Sequence, residues 1–470
     1  MSRPDTLTLS DMASLIRRGV LSSVSLIDFY LGRIEQRNPQ INALILLEQR
    51  EELYRQAEAA DALARKGQFL GPLHGIPITI KDACHVKGFR MSRGIEELRK
   101  APSTADATVV ARLRKAGAII LGITNVPELC MAFETENLLY GRTLNPHDTS
   151  RSAGGSSGGE AAAIAAGFSP AGLGSDACGS VRIPAHFNGI CGLKLTQGRV
   201  PLTGQFPNDR SGLFHLISAF GVMGRYVEDV NVLGKLICGA DRQDPDTVDV
   251  PFAPGKPLHE LRVAVSCESS RTTVSPAVQA VVKNVAKCLK NAVSVVKEAR
   301  PTLLEQACDV LWRVFITGGD AARGWQALFK SMGKTQFTPA TTQLLAMSRY
   351  VDLSSDELRR DWVMIDTFRH RLASFFNEYD LFISPVFGDV AFAHGKSLED
   401  RDRYAFVFPF SLCGSPAIVI KAGHDPANGM PIGIQIVAAH WQEEQLIRVA
   451  SFLERELEDW QAALSETTPH

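Results

Sequence analysis

Residues 151–168 read RSAGGSSGGEAAAIAAGF, with two adjacent serines between two pairs of glycines, followed at once by an alanine-rich segment. Four glycines let the backbone turn sharply and approach other groups closely. Such a loop can cradle an anion, turn a strand into a helix, or hold a reactive hydroxyl. A phosphate loop requires a Lys followed by Ser or Thr after its last glycine, and none follows here. The G-x-S-x-G elbow of hydrolases matches twice, through Ser156 and through Ser157, and His394, His424 and His440 lie downstream as possible bases. That elbow needs a strand immediately before it, whereas the preceding NPHDTSRSA is polar and turn-rich.

Working outward, the chain alternates short apolar runs with amphipathic ones. Upstream, GIPITIKD is a buried-strand pattern that ends abruptly in Lys81 and Asp82. DATVVARLRKAGAIILGITN predicts a helix, a glycine turn and a second buried strand. Downstream, residues 158–168 predict a helix of small residues, AGLGSD a strand or turn, and SVRIPAHF a helix start. The N-terminal segment predicts helices: Ile27, Leu31 and Ile34 share one face, Ser22 or Ser23 caps, and a second helix closes at Gly67. Towards the C-terminus a helix is expected near 276–290. YDLFISP, PAIVI and IGIQIVAA are expected as strands, with a final helix over EEQLIRVASFLERELEDW. Residues 241–257, rich in Asp and Pro, predict a loop. The alternation predicts an α/β fold: a large mixed, mostly parallel central sheet covered by helices on both faces.

Composition narrows the function classes. The 470 residues are 45% hydrophobic and 21% charged, with a formal net charge of −1. That balance suits a globular protein with a large core and offers no basic footprint for nucleic acid. Nine scattered cysteines without a C-x-x-C pair argue against a disulfide framework and a structural zinc site. The N-terminus lacks the apolar segment of a secretion signal, so a cytoplasmic protein is expected. The uncharged run over 161–175 is too short, and too broken by Gly and Pro, to span a bilayer.

The loop gains a chemical role when Lys81 and Ser180 are read with it. Ser180 follows Gly179 just before a helix, where backbone N–H groups cluster near its own hydroxyl, a setting for a nucleophile whose product is an oxyanion. A lysine desolvated in an apolar site can be neutral near pH 7 and act as the base. A loop serine between the two can relay the proton.

The blocks GIPITIKD, SRSAGGSSGGEAA, GSDACGSVRIPA and GICGLKLTQGRVP together resemble the amidase signature family. The resemblance is dense over 71–204 and returns at PAIVI and GMPIGIQIVAAHWQEEQLIRVA. GITNVPELCMAFETENLLYGRTLNPHD is similar in flavour to the fatty-acid amide hydrolases and their bacterial relatives. The resemblance implies one domain over 1–470, with N-terminal helices to 70 and a signature core over 71–204. A variable helical and loop region over 205–380 follows, and the rest of the core is 381–470. It also implies a Ser–cisSer–Lys triad, with Ser180 as nucleophile, Ser156 as relay beside a cis peptide bond, and Lys81 as base. Backbone N–H groups of Ala177, Cys178, Gly179 and Ser180 would hold the oxyanion. Ser157 and Ser175 would support the relay, and Asp176 and Arg182 would form an ion pair bracing the nucleophile turn. Met131 and Phe133 match the family's acyl-pocket stretch; Phe206 and Phe214 are weaker candidates for it.

The implied reaction is hydrolysis of a lipophilic or aryl amide, with esters and carbamates open to the same attack. It needs no cofactor and no metal, and its partner is a small-molecule amide, with a homodimer as the expected assembly. One departure from the family pattern and one branch of the family leave alternatives open. Cys178 stands where the family usually has glycine, which admits a cysteine nucleophile of nitrilase type with Lys81 and either Glu128 or Glu134. The family also includes the glutaminase component of glutamyl-tRNA amidotransferase, which works inside a complex.

Overall fold

The computed structural model describes residues 3–99, 101–205 and 212–457. Its strands, in chain order, are β1 (Leu44–Leu47), β2 (Pro77–Lys81), β3 (Ile119–Thr124), β4 (Glu136–Asn137), β5 (Gly141–Arg142), β6 (Ala171–Asp176) and β7 (Cys191–Lys194). They continue with β8 (Ala219–Gly224), β9 (Arg262–Val265), β10 (Val295–Glu298), β11 (Leu381–Pro385), β12 (Ala417–His424) and β13 (Pro431–Ala438). Eleven of them form one sheet in the order β1-β3-β2-β6-β8-β7-β12-β13-β11-β9-β10, and β4 pairs with β5 alone. The central strands form because their apolar runs suit burial on both faces. Every residue of PITIK, IILGIT and PIGIQIVA is buried.

Helices cover both faces, as expected. Successive strand residues point to opposite sides of a sheet, and β8 shows the division. Gly221 faces Val181 at the head of the Arg182–Asn188 helix, and Val222 faces Gly234 of the Val227–Ile237 helix. The N-terminal helix Ser23–Ile41 is capped by Ser22, which accepts from Ser25 N at 3.0 Å. The predicted loop over 241–257 lies between the Val227–Ile237 helix and β9.

The balance of strand directions corrects the expectation of a mostly parallel sheet. The pairs β3–β2, β2–β6, β11–β9 and β9–β10 are parallel. The pairs β1–β3, β6–β8, β8–β7, β7–β12, β12–β13 and β13–β11 are antiparallel. Strands β6 and β7 do run parallel to one another across the Arg182–Asn188 helix, as their strand–helix–strand pattern implies. Yet β8 inserts between them and opposes both. The short turn after β12 leaves no room for a crossover, so β13 must also run antiparallel. The variable region is more than a periphery, since β8, β9 and β10 all enter the sheet, and the N-terminal helical segment contributes β1. Among the described residues no helix is long and apolar enough to cross a membrane.

Candidate active site

Parallel neighbours end together, and β2 and β6 are parallel neighbours. Lys81 is the last residue of β2, and Ser175 and Asp176 are the last two of β6. Lys81 is only 1% exposed, and its Nζ lies 2.7 Å from Ser156 Oγ, 2.9 Å from Ser175 Oγ and 3.4 Å from the Ser175 carbonyl oxygen, each within hydrogen-bond reach. Burial depresses the lysine below its ordinary value, and the charges of Asp176 and Glu160 oppose that shift only in part.

The serine–glycine loop reaches this lysine through a tight passage. The Gly155–Ser156 peptide is cis. A Cβ on Gly155 would lie 2.6 Å from Glu134 N and 2.7 Å from the Ala132 carbonyl, so only glycine fits between those backbone atoms. Ser157 N donates to the Ser180 carbonyl at 3.2 Å, and Ser157 Oγ donates to the Ser175 carbonyl at 3.2 Å. The second serine thus clamps the loop to both neighbouring segments. Behind it, Glu160 accepts from Thr79 Oγ1 at 2.5 Å and Thr124 Oγ1 at 2.8 Å, tying the Gly158–Ala165 helix to β2 and β3. Burial lifts the Glu160 carboxyl to about 7 against the pull of those hydroxyls.

The turn that carries Ser180 is organised around Asp176. Its carboxylate accepts from Gly179 N at 2.7 Å, Val181 N at 3.1 Å and Arg182 N at 3.4 Å, and from Arg182 Nε and Nη2 at 3.0 and 3.1 Å. Arg182 is fully buried and also donates to the Val407 carbonyl, Gln435 Oε1 and Ser411 Oγ. Burial alone would raise Asp176, but the guanidinium and the backbone donors hold it at about 2. Gly179 has φ of +97°, which permits the turn. Its N–H is committed to Asp176, which narrows the expected oxyanion cradle. Among the described residues the N–H groups of Ala177, Cys178 and Ser180 have no hydrogen-bond partner.

These groups meet at a cavity of about 400 Å³ lined by Ser156, Ser175, Ala177, Cys178 and Ser180 at one end. Met131, Phe133 and Phe214 lie on its wall, and Phe133 stacks on Tyr404 at 4.0 Å between centroids; Phe206 falls outside the described residues. Much of the remaining wall comes from residues that sequence reasoning missed, among them Val314, Phe315, Trp325 and Leu344. Cys130, also missed, puts its sulfur beside Ser156 and Lys81. It sits between Leu129 and Met131 in a stretch already singled out, and its left-handed backbone carried no signal in the sequence.

The rival nucleophile constellations do not assemble. Glu128 pairs with Lys334 at 2.9 Å and accepts from Thr338 N and Oγ1, and Glu134 accepts from His394 and Gly395. Neither acid is spare to serve Cys178, whose thiol is pushed well up by burial and by Asp176. No strand precedes the serine loop beyond isolated bridges at Arg151 and Ser152. Of the proposed elbow bases, His394 contacts Glu134 and the Thr149 carbonyl, and His440 contacts the Cys413 carbonyl. One group of side chains among the described residues could ligate an ion: His215 with Asp244 and Asp246. Its carboxylates already serve His215 Nε2 and the Leu202 and Asp246 amides, and none lines the cavity.

A family model described as Amidase matches residues 25–447. Indoleacetamide hydrolase of Bradyrhizobium diazoefficiens is 32% identical over 458 residues, covering 94% of this chain and 85% of that protein. Acylamidase of Rhodococcus erythropolis is 32% identical, covering 95% of each. A glutamyl-tRNA(Gln) amidotransferase component of Roseiflexus sp. (strain RS-1) is 31% identical, covering 98% of each. The solved structure of 6-aminohexanoate cyclic dimer hydrolase complexed with substrate superposes with a TM-score of 0.83 at 27% identity, covering 97% of this chain and 98% of that one.

Proposed function

The chain belongs to the amidase family, and on that premise we propose that it hydrolyses lipophilic or aryl carboxamides through an acyl-enzyme on Ser180. The observation that carries this reading is the 2.7 Å contact between buried Lys81 and Ser156 at the end of an apolar cavity that Ser180 also lines. Ser180 Oγ attacks the amide carbonyl while its proton passes to Ser156 and the Ser156 proton passes to neutral Lys81. The carbonyl oxygen, now negative, is met by the unengaged N–H groups of Ala177, Cys178 and Ser180, which need no reorganisation as charge develops. Collapse breaks the C–N bond, and the leaving nitrogen takes its proton back through the same relay, which an amide requires because an amide anion leaves poorly. Water then attacks the acyl carbonyl with the relay again accepting its proton. The C–O bond to Ser180 breaks to release the carboxylic acid, and Ser180 Oγ takes the proton back from Lys81 through Ser156. Esters and carbamates expose their carbonyls to the same sequence of steps.

A second reading, a glutaminase working within a complex, draws on the 31% identity to the amidotransferase component. Against it stand the apolar wall and the lack, among the described lining residues, of any cation for glutamine's carboxylate. The test is hydrolysis by the purified chain of acyl p-nitroanilides of graded length, set against free glutamine, with a phosphonate fluoride trap read by mass spectrometry. Turnover of anilides and a label on Ser180, retained in Cys178→Gly and lost in Ser180→Ala, is the expected result. A label on any other residue overturns the reading.

A further inference from the structure

Residues 129–133 run unbroken along the cavity: Leu129, Cys130, Met131, Ala132 and Phe133 all line it. The stretch opens on two non-glycine residues in left-handed backbone, Leu129 at φ +51° and Cys130 at φ +61°. Such conformations are costly for L-residues and persist only where the surroundings enforce them. The residue immediately upstream, Glu128, is fully buried and is not among those lining the cavity. Its Oε1 lies 2.9 Å from Lys334 Nζ, and its Oε2 accepts from Thr338 N and Thr338 Oγ1 at 3.0 Å each. Lys334 and Thr338 are themselves buried.

These partners lie at the two ends of the link between helices that build another part of the wall. Lys334 follows Gly333, which ends the Arg323–Met332 helix, and Thr338 caps the start of the Pro339–Ser348 helix. The first helix gives Trp325 and Leu328 to the cavity, and the second gives Leu344. The packing of the first is thin, since Phe329 is its one buried residue. Phe329 clusters with Ile95 and Leu129, and Met131 packs against that cluster. Helical wall and strained turn therefore rest on each other, and an element with so little buried surface is easily displaced. A buried ion pair contributes little net stability over apolar groups of the same volume, and its best-attested use is to fix register between packed segments. Here the segments it joins are the two parts of the cavity wall.

We propose that Glu128 is a positioning residue for substrate selection: by clasping Lys334 and Thr338 it sets the spacing of the cavity walls, and with it the preference for long over short acyl chains. The proposal rests on the amide-hydrolase reading above and names what sets acyl selectivity at that site.

The test measures kcat/KM for octanoyl and acetyl p-nitroanilides in wild type, Glu128→Gln, Lys334→Met and the double variant. The ratio of the two constants cancels the fraction of active enzyme, so it does not move if the clasp merely stabilises the fold. Glu128→Gln keeps an oxygen for Thr338 and loses the ion pair, and Lys334→Met loses the same pair from the other side. The double variant buries no unpaired charge and so folds where a single variant fails. The octanoyl-to-acetyl ratio, above one in wild type, should fall about 10-fold in each variant, mainly through a raised KM for octanoyl. The double variant should fall no further than the singles, because all three remove one interaction. A folded variant whose ratio stays within about twofold of wild type or rises, or a wild type that does not prefer octanoyl, overturns the proposal and leaves the hydrolase reading standing. Turnover of neither anilide by wild type overturns both.

Discussion

Replacing Asp176 with Asn tests whether the turn that carries Ser180 is held electrostatically. The folded carboxyl sits at about 2 against an ordinary 3.8, and each unit corresponds to about 1.4 kcal/mol, so the ionised form is favoured by about 2 kcal/mol. Substitution also leaves the Arg182 guanidinium, fully buried, facing an amide NH2 in place of its counter-charge. Removing one partner of a buried pair costs about 3–5 kcal/mol, and we expect that loss for Asp176→Asn. With an unfolding entropy of about 2.1 cal/mol/K per residue over 470 residues, Tm should fall by about 3–5 °C. Because the native value is depressed, the contribution is present above pH 3.8 and is lost as pH falls through about 2. The stability difference between wild type and variant should therefore shrink over that window. Differential scanning calorimetry at neutral pH and chemical denaturation between pH 5 and pH 2 supply both measurements. A neutral-pH Tm within about 1 °C of wild type, or a difference that stays constant down to pH 2, would refute the reasoning.

Lys81 and Gly155 supply two further predictions. Burial lowers the Lys81 value, so the neutral base is populated below the ordinary lysine range and kcat/KM should rise with pH along a single acid limb; Lys81→Met should cost several orders of magnitude and abolish that limb, and a wild-type profile flat from acid to alkaline pH counts against the lysine base. Gly155→Ala should cost at least about 10²-fold in kcat, since its Cβ meets backbone atoms of Ala132, Phe133 and Glu134 that cannot step aside; near-wild-type turnover would show that Ser156 is not held by this passage.

The residues that meet at the cavity were legible because their signals are local or carried by motif blocks. The run PITIK ends in a lysine that an apolar strand would not otherwise carry, the double serine lies between glycines, and Asp176 and Arg182 bracket a turn of five residues. The cavity beyond the triad was not legible. Its wall is assembled from segments near 131, 214, 315, 325 and 344 that no spacing connects. The commitment of the Gly179 amide to Asp176 was equally hidden, because one peptide N–H reads like the next in a sequence.

By itself the sequence determined the elements of the 71–204 stretch and of the C-terminal part, the capped N-terminal helix, the strands that deliver Lys81 and Asp176, and the residue types able to run acyl transfer, but not β1, β8, β9 or β10. Apolar periodicity and glycine placement act over a few residues, so they survive reading in one dimension. Only the tertiary structure decided that β8 inserts between β6 and β7 and turns the sheet largely antiparallel. It alone showed which amide hydrogens remain free beside Ser180. Strand order and hydrogen-bond satisfaction depend on several groups, near and far in the chain, competing for the same partner, and that competition is settled only when the chain is packed.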